Sequence, residues 1–339
     1  MKSQRTLFVC EFITGGGLVG TDLPVGLARE GSLMRDALLD DLIGCGDWDI
    51  ITTYDVRLDA PLVGVRSIKV ENGQDIWAIW QQCMSVVDAV WVIAPETDDV
   101  LLRLAKLAQT SQALWIGAGI EAIKVASNKY LMAQVLGDAK LPIIPSYFYD
   151  NWRAEHAVPW LVKPNDGAGC EATYVLDSQQ DVDDWFAKDH QRKTTHIIQP
   201  YLKGIPVSIS VLGLKDQAMV LSCNLQSIDL EQGQLSYTGG VVNGASEYWT
   251  QLSELANQIK AVMPDLLGYF GVDVLIDMDN QKPLTVVEIN PRLTTSYVHL
   301  HKAMGCNPAH LIMNAMLGKN SDLSIVSRNQ VEFGVKHAV

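Results

Sequence analysis

The sequence is poor in positive charge. Its 339 residues include 26 lysines and arginines against 39 aspartates and glutamates, which gives a formal net charge of −13 at pH 7. Proteins that bind a nucleic-acid backbone carry basic faces, because the phosphates are neutralised by lysine and arginine. The composition therefore argues against nucleic-acid binding as the main activity, and any basic site in this chain must be local.

Paired cysteines and long apolar runs are also absent from the sequence. The six cysteines are widely spaced without a C-x-x-C pair, so they indicate neither a zinc site nor a disulfide framework, and a reducing compartment fits them best. No apolar stretch approaches the roughly 18 residues that a membrane span needs. Glu11 interrupts the first apolar run, so no signal peptide is indicated. We therefore expect a soluble, cytoplasmic protein that binds neither membrane nor nucleic acid.

Apolar segments and helical patterns alternate in the first third of the chain. Strands that alternate with helices pair in parallel and carry helices on both faces of the sheet, so this part is predicted to be an α/β domain. At 339 residues the chain is long enough for two or three domains with cores. The predicted elements are strands at 6–12, 48–53, 89–94 and 113–116 and helices at 73–87 and 97–109.

A glycine-rich hexad follows the first predicted strand. Residues 15–20 fit G-x-G-x-x-G, which is typical of dinucleotide-binding loops when a helix begins within the glycines. Pro24 and Gly26 intervene here, and the helical pattern begins only near Glu30. A nicotinamide or flavin site is therefore disfavoured, and we predict a loop whose backbone amides approach a substrate carboxylate.

A predicted β-hairpin lies near the C-terminal end of the sequence. Segments 270–277 and 285–290 are apolar strands, and segment 279–283 between them has the composition of a tight turn. Successive side chains of a strand point to opposite faces, so Glu288, Asn290 and Arg292 are predicted to share one face. The hairpin is thus predicted to carry carboxylates on facing strands.

The polar side chains of this hairpin suit a hard cation. Asp273, Glu288 and Asn290 supply carboxylate and amide oxygens, and Mg²⁺ takes one or two carboxylates and completes its coordination with phosphate and water. The alternative is a surface hairpin with solvated acids. It is disfavoured because Glu288 and Asn290 lie inside an apolar strand, where unpaired burial is costly.

Two lysines stand at positions where an anion would bind. Lys129 is at the start of a predicted helix with Ser127 or Asn128 as its N-cap, and a lysine there is unfavourable unless an anion is near. By this criterion alone Lys129 is equally well a solvated surface charge. Lys163 ends a predicted strand and leads into a glycine-rich hairpin tip, whose backbone amides could bind phosphates. An ordinary β-turn is the alternative there.

Taken in order, these features resemble the ATP-grasp superfamily over roughly residues 110–320. Its members mostly join a carboxylate to an amine using ATP. The resemblance implies a Rossmann-like α/β domain over 1–122, followed by an ATP-grasp module of two α+β subdomains. These would cover 123–198 with the phosphate loop and 199–339 with the metal site.

The resemblance also implies roles for individual residues. Mg²⁺ or Mn²⁺ is expected on Asp273, Glu288 and Asn290. The residues expected to contact ATP are Lys129, Lys163, Gly167, Gly169, Gln199, Tyr201 and Leu202. Arg292 and Lys163 are expected to act in catalysis by holding phosphate oxygens.

The predicted adenine hinge departs from the family pattern in two places. The family usually has a glutamate near Gln199, and Pro206 stands where another glutamate usually holds the ribose hydroxyls. Backbone recognition of adenine survives both changes. Ribose recognition must therefore come from elsewhere or be weak.

Within the superfamily, residues 288–297 and the N-terminal glycine loop most resemble tyramine–glutamate ligases of methanofuran-type cofactor synthesis. This implies an acylphosphate mechanism acting on small molecules, L-glutamate and tyramine or a similar amine. Other amino-acid ligases and synthetases of the superfamily, and a non-catalytic nucleotide sensor, remain open. Segment 237–244 is predicted to be a loop, either on the substrate side or inert. The oligomeric state, including a homo-oligomer, is left open.

Overall fold

The computed structural model describes residues 5–153, 159–167, 170–277, 284–319 and 324–334. Within these residues the strands are β1 (Arg5–Glu11), β2 (Trp48–Asp55), β3 (Arg66–Val70), β4 (Ala89–Ile93), β5 (Leu114–Ile116), β6 (Trp160–Pro164), β7 (Tyr174–Leu176), β8 (His196–Pro200), β9 (Ile205–Gly213), β10 (Ala218–Glu231), β11 (Gln234–Val242), β12 (Gly268–Ile276), β13 (Leu284–Asn290) and β14 (Val331–Gly334). The α-helices are α1 (Val25–Cys45), α2 (Ile76–Ser85), α3 (Val100–Gln109), α4 (Ile120–Ala126), α5 (Lys129–Asp138), α6 (Gln179–Ala187), α7 (Arg192–Thr195), α8 (Trp249–Val262), α9 (Leu300–Met304) and α10 (Pro308–Met316). Short helical turns occur at Ile13–Gly17, Thr97–Asp99, Tyr149–Asn151, Ser246–Tyr248 and Thr295–His299.

The first sheet is parallel and has the strand order β3-β2-β1-β4-β5. Leu7 and Val9 of β1 belong to one core cluster, and Phe8 and Cys10 belong to another. Alternate residues of β1 therefore pack on opposite faces, as expected for a strand covered on both sides. The predicted parallel sheet is confirmed. The edge strand β3 was not predicted, because its largely half-exposed residues form only a weak apolar pattern.

Helix α1 begins at Val25, so the predicted start near Glu30 is wrong. Pro24 is the residue before the first turn and has an extended backbone, with φ −61° and ψ 127°. A proline is tolerated next to a helix start because the first N–H groups have no partner within the helix. Gly26 lies in open space, since a Cβ built there meets nothing within 4 Å. The two residues that were interpreted as helix breakers are thus accommodated at its first turn.

The glycines before α1 form the compact turn Ile13–Gly17. A Cβ on Gly15 would lie 3.0 Å from the Thr53 hydroxyl, and one on Gly17 would lie 2.6 Å from the Phe12 ring. Close packing against β2 and the end of β1 therefore accounts for these glycines. A contact between this turn and a substrate carboxylate stays a prediction.

The second sheet has the strand order β13-β12-β9-β10-β11-β7-β6-β8, with β14 on β11. Its pairs among the named strands are antiparallel. Helix α8 covers one face of the central strands, and α9 and α10 cover the other. Both large core clusters contain residues of both sheets. The predicted α/β and α+β fold class is confirmed, and the predicted domain boundaries stay predictions.

The segment predicted as a loop at 237–244 lies largely in strand β11. This strand pairs with β10 on one side and β14 on the other. A Cβ on Gly239 would lie 2.3 Å from the Phe333 carbonyl oxygen, and one on Gly240 would lie 2.2 Å from that of Leu225. The glycines allow close strand approach, and the loop prediction was wrong because it treated them as turn residues.

Among the residues that the structure describes, no helix is long and apolar enough to span a bilayer.

Candidate active site

The candidate site is built on the β12–β13 hairpin. The strand register places Asp273 opposite Glu288. The Asn290 side-chain amide donates a hydrogen bond to Asp273 Oδ2 at 3.2 Å, and Gln226 from β10 donates one to Asp273 Oδ1 at 3.0 Å. The structure therefore brings the three predicted metal ligands together. The predicted turn at 279–283 lies outside the described residues.

Two buried lysines approach this pair of carboxylates. Lys129 Nζ lies 3.6 Å from Glu288 Oε2, and Lys163 Nζ lies 4.0 Å from the same oxygen. Asn128 is the N-cap of α5, and its side chain accepts a backbone hydrogen bond from the first turn, so Lys129 is fixed at the helix start. Both lysines are only 6% exposed. The solvated-surface interpretation of Lys129 is therefore wrong.

Burial and close charges shift the pKa values of the two carboxylates and of Lys163. Burial and the neighbouring Glu288 carboxylate raise the pKa of Asp273 to about 8. Although burial opposes it, the attraction of Lys129 and Lys163 holds the pKa of Glu288 below its ordinary value. Burial lowers the pKa of Lys163, and Glu288 partly restores it. A buried pair of carboxylates with such a raised pKa is an environment that a bound cation would stabilise.

The donor set fits a magnesium-like ion. Two facing carboxylates and the Asn290 amide are oxygen ligands of the kind that Mg²⁺ takes alongside phosphate and water. In the described part of the chain, no group of three or more His, Cys, Asp or Glu side chains is arranged to hold a metal. Two carboxylates and one amide would leave coordination positions of such an ion for phosphate and water.

The predicted phosphate loop adjoins the lysines. Lys129 Nζ donates a hydrogen bond to the Gly167 carbonyl oxygen, and Gly169 lies outside the described residues. The connection between β4 and α3 contacts the same segment, because the Asp98 backbone N–H donates to Asp166 Oδ2 at 3.1 Å. The N-terminal sheet therefore reaches the glycine-rich segment through this connection.

Arg292 is paired with Glu96, a residue that the sequence interpretation missed. Arg292 Nε and Nη2 donate to Glu96 Oε2 at 3.0 and 2.9 Å. Glu96 is 5% exposed, and its Oε1 atom has no hydrogen-bond partner among the described residues. Its position just after the parallel strand β4 was the available signal, since ligands bind at the carboxyl ends of such strands.

The predicted adenine-contacting residues lie at the end of β8, the strand that pairs with the Lys163-bearing strand β6. Gln199 of β8 faces β6, its side chain is buried, and its amide donates to the Ser146 hydroxyl at 2.8 Å. The Tyr201 backbone N–H donates to the Pro159 carbonyl oxygen at 2.9 Å, and Leu202 is 38% exposed. The adenine-binding roles of Gln199, Tyr201 and Leu202 stay predictions.

Comparison with known proteins identifies related chains. A tyramine–L-glutamate ligase from Methanocaldococcus jannaschii is 27% identical over 277 residues, which cover 80% of this chain and 78% of the relative. An ATP-grasp superfamily protein from Archaeoglobus fulgidus has a similar structure, with TM-score 0.72, 22% identity and coverage of 96% of this chain and 91% of that chain. The biotin carboxylase domain of Hydrogenobacter thermophilus 2-oxoglutarate carboxylase, solved with MgADP, matches with TM-score 0.72 and 11% identity over 95% of this chain and 72% of that chain.

Two family models match successive parts of the chain. Residues 48–123 match the pre ATP-grasp 3 domain, and residues 126–296 match the ATP-grasp domain. The second match includes the lysines, the glycine-rich segment and the β12–β13 hairpin. The chain therefore belongs to the ATP-grasp family, which confirms the predicted family and the predicted class of ATP-dependent carbon–nitrogen ligase.

Proposed function

We propose that this chain is an ADP-forming ligase that joins L-glutamate to tyramine or a similar primary amine through an acylphosphate. The observation that carries the proposal is the convergence of Lys129 and Lys163 on Glu288, which faces Asp273. The relatives named tyramine–L-glutamate ligase support this pair of substrates.

The first step is phosphoryl transfer from ATP to a carboxylate oxygen of glutamate. The bond between the γ-phosphorus and the β–γ bridging oxygen breaks, a bond to the carboxylate oxygen forms, and ADP leaves. Lys129 and Lys163 are buried cations that hold phosphate oxygens and offset the charge that moves between them. Positioning carries most of such catalysis, so no side-chain nucleophile is required.

The hairpin supplies the ligands for a divalent cation. Asp273, Glu288 and Asn290 would hold Mg²⁺ or Mn²⁺, and the bound ion would neutralise negative charge on the terminal phosphates. Gln226 and Asn290 orient Asp273 by donating hydrogen bonds to its two oxygens. These contacts keep the carboxylate turned toward Glu288 before any ligand binds.

The second step forms the amide. The amine nitrogen attacks the carbonyl carbon of the acylphosphate, the bond from that carbon to the phosphate oxygen breaks, and the nitrogen loses a proton. Arg292 lies close enough to Glu288 to influence its pKa, and we assign to it the oxygens of the transferred phosphoryl group. The products are a γ-glutamyl amide, ADP and phosphate.

An ADP-release assay over a matrix of amino acids and amines tests this function, with product masses determined in parallel. ADP formed only when glutamate and tyramine are both present, with a product of the γ-amide mass, supports the proposal. ADP formed with other amino acids and none with glutamate would move the substrate assignment elsewhere in the family. ATP binding without ADP release for every pair would indicate a nucleotide sensor.

A further inference from the structure

A small cavity lies between the two sheets, beside the candidate site. It has a volume of about 230 Å³ and lies between the start of α1, the turn Thr295–His299 and strand β14. Leu27, Leu33 and Val298 form much of its apolar lining. The rings of Phe333 and His299 also line the cavity and contact each other, with centroids 5.0 Å apart and planes inclined by 38°. This volume suits one aromatic ring with a short chain better than a larger ligand.

Among the described residues that line this cavity, Glu30 supplies the one carboxylate. Its Oε1 atom accepts a hydrogen bond from the hydroxyl of Thr295. Thr295 follows Arg292 by three residues in the sequence, so this bond holds the Glu30 carboxylate near the end of β13. Thr294, the residue before Thr295, lies against the β12–β13 hairpin, because a Cβ built on Gly271 would be 2.7 Å from Thr294 Cγ2 and 3.7 Å from the Asn290 Cβ. The Glu30 carboxylate therefore lies at the end of the cavity that is next to the predicted metal ligands.

The charge of Glu30 is not cancelled by the neighbouring imidazole. Burial and the nearby Lys302 lower the pKa of His299, which disfavours a positive charge on this ring. Arg29 also lines the cavity, but it is exposed to solvent. The cavity therefore combines apolar walls with an anchored carboxylate, which is the combination that recognises a primary ammonium group on an apolar tail.

We infer that this cavity binds the amine substrate, with Glu30 holding the ammonium and Leu33, Val298 and Phe333 surrounding an aromatic or apolar tail. The inference rests on the proposed function and adds to it the site and chemical class of the amine. Glu30 is also a base that can accept the proton which the nitrogen loses as it attacks the acylphosphate. An aryl tail stacked on Phe333 gains from both apolar burial and ring contact.

The first test compares amines with the wild-type protein at saturating ATP and glutamate. We expect kcat/KM to be at least about tenfold higher for tyramine and phenethylamine than for methylamine, since the aryl group contributes apolar burial. Equal values for all three amines would overturn the inference, while ADP release itself would leave the proposed function intact.

The second test uses two substitutions of Glu30 and one control substitution on the same helix. Glu30→Gln should raise the KM for tyramine about tenfold or more without changing the KM for ATP, because only the charge that attracts the ammonium is removed. Asp40→Asn alters an exposed acid of the same helix and should leave both values unchanged. Glu30→Asp keeps the charge and should restore part of the affinity. An unchanged KM for tyramine in Glu30→Gln contradicts the assignment.

The apolar half of the cavity is tested by filling it. Leu33 is 47% exposed, so Leu33→Trp is compatible with folding, and it should weaken turnover of phenethylamine far more than that of methylamine. Val63→Trp, at a fully exposed position, is the matched control. Equal effects of Leu33→Trp on both amines would contradict the inference.

Direct titration separates failure of this inference from failure of the proposed function. Tyramine should bind the wild-type protein in calorimetry and bind Glu30→Gln at least about tenfold more weakly, even where no amine supports ADP release. Absence of tyramine binding to the wild-type protein in the presence of ATP, Mg²⁺ and glutamate would overturn the inference.

Discussion

Two buried acids, Asp55 of the first sheet and Asp273 of the second, are balanced in different ways. In the N-terminal sheet, the fully buried side chain of Asp55 contacts Arg57 Nη2 at 2.6 Å, and the same guanidinium donates to the carbonyl oxygens of Leu18 and Thr21. Hydrogen bonds from Arg57 hold the pKa of Asp55 below its ordinary value. In the second sheet, Asp273 faces another carboxylate, and its pKa is raised to about 8.

The difference indicates which acids support the fold and which await a ligand. A carboxylate with its own guanidinium stabilises the native state and needs nothing further. Two facing carboxylates oppose folding when both are charged, as the raised pKa of Asp273 indicates, and a bound cation would favour the charged form of both. The ion pair between Glu96 and Arg292 lies between these cases, because it connects the sheets and leaves Glu96 Oε1 without a partner among the described residues.

Removal of the charge at the hairpin gives the largest expected effect. Glu288→Gln should lower turnover by about 10²- to 10³-fold, because a ligand for the cation and a partner of both lysines is lost. We expect the ligand-free variant to remain folded, because the amide keeps the size of the carboxylate and relief of the repulsion with Asp273 offsets part of the lost attraction to the two lysines. ADP release and thermal melts measure the two effects, and a variant that is inactive only because it is unfolded contradicts this prediction.

Loss of a single cation gives a smaller effect on ATP. Lys163→Ala should weaken ATP binding and lower kcat/KM together by about 10- to 100-fold, because the lysine contacts phosphate in both the ground state and the transition state. Nucleotide titration and steady-state kinetics are the measurements. Unchanged affinity and rate would show that Lys163 is a strand-end charge without a role in ATP binding.

Loss of the ion pair between Glu96 and Arg292 should affect turnover but not ATP affinity. Glu96→Gln removes the charge that orients Arg292, and we expect about a tenfold fall in kcat with an unchanged Kd for ATP. Arg292→Lys should give a similar fall, because lysine cannot reproduce the paired contact. A large change in ATP affinity in Glu96→Gln would instead place this ion pair in nucleotide binding.

The smallest expected effect is at the ion pair between Asp55 and Arg57, and it changes only the stability of the fold. The pKa of Asp55 is lower in the folded state, so its stabilising contribution is present above the unfolded pKa of about 4 and is lost as pH falls through the folded value. Asp55→Asn should lower stability by about 1 kcal/mol at pH 7, since Arg57 is partly exposed, and leave turnover unchanged. Melts between pH 2.5 and 7 should show the difference from wild type shrinking as the pH falls.

Much of the proposed ATP-binding region could be predicted because the sequence patterns that indicate it lie within short segments. The alternation of apolar residues around Glu288 and the cap at Asn128 are patterns that a short segment carries by itself. Strand β11 was mistaken for a loop because its glycines serve the close approach of β10 and β14, which are elements distant in sequence. Local composition cannot distinguish that use of glycine from a turn.

Strand periodicity and residue type were sufficient to predict most of the first sheet and the β12–β13 hairpin that carries the proposed metal ligands. Which groups meet across the sheets depends instead on the tertiary packing. Glu96 lies 196 residues from Arg292, and Glu30 lies 265 residues from Thr295. Such contacts depend on how the helices of one sheet pack on the strands of the other, and no periodicity within either segment encodes that packing.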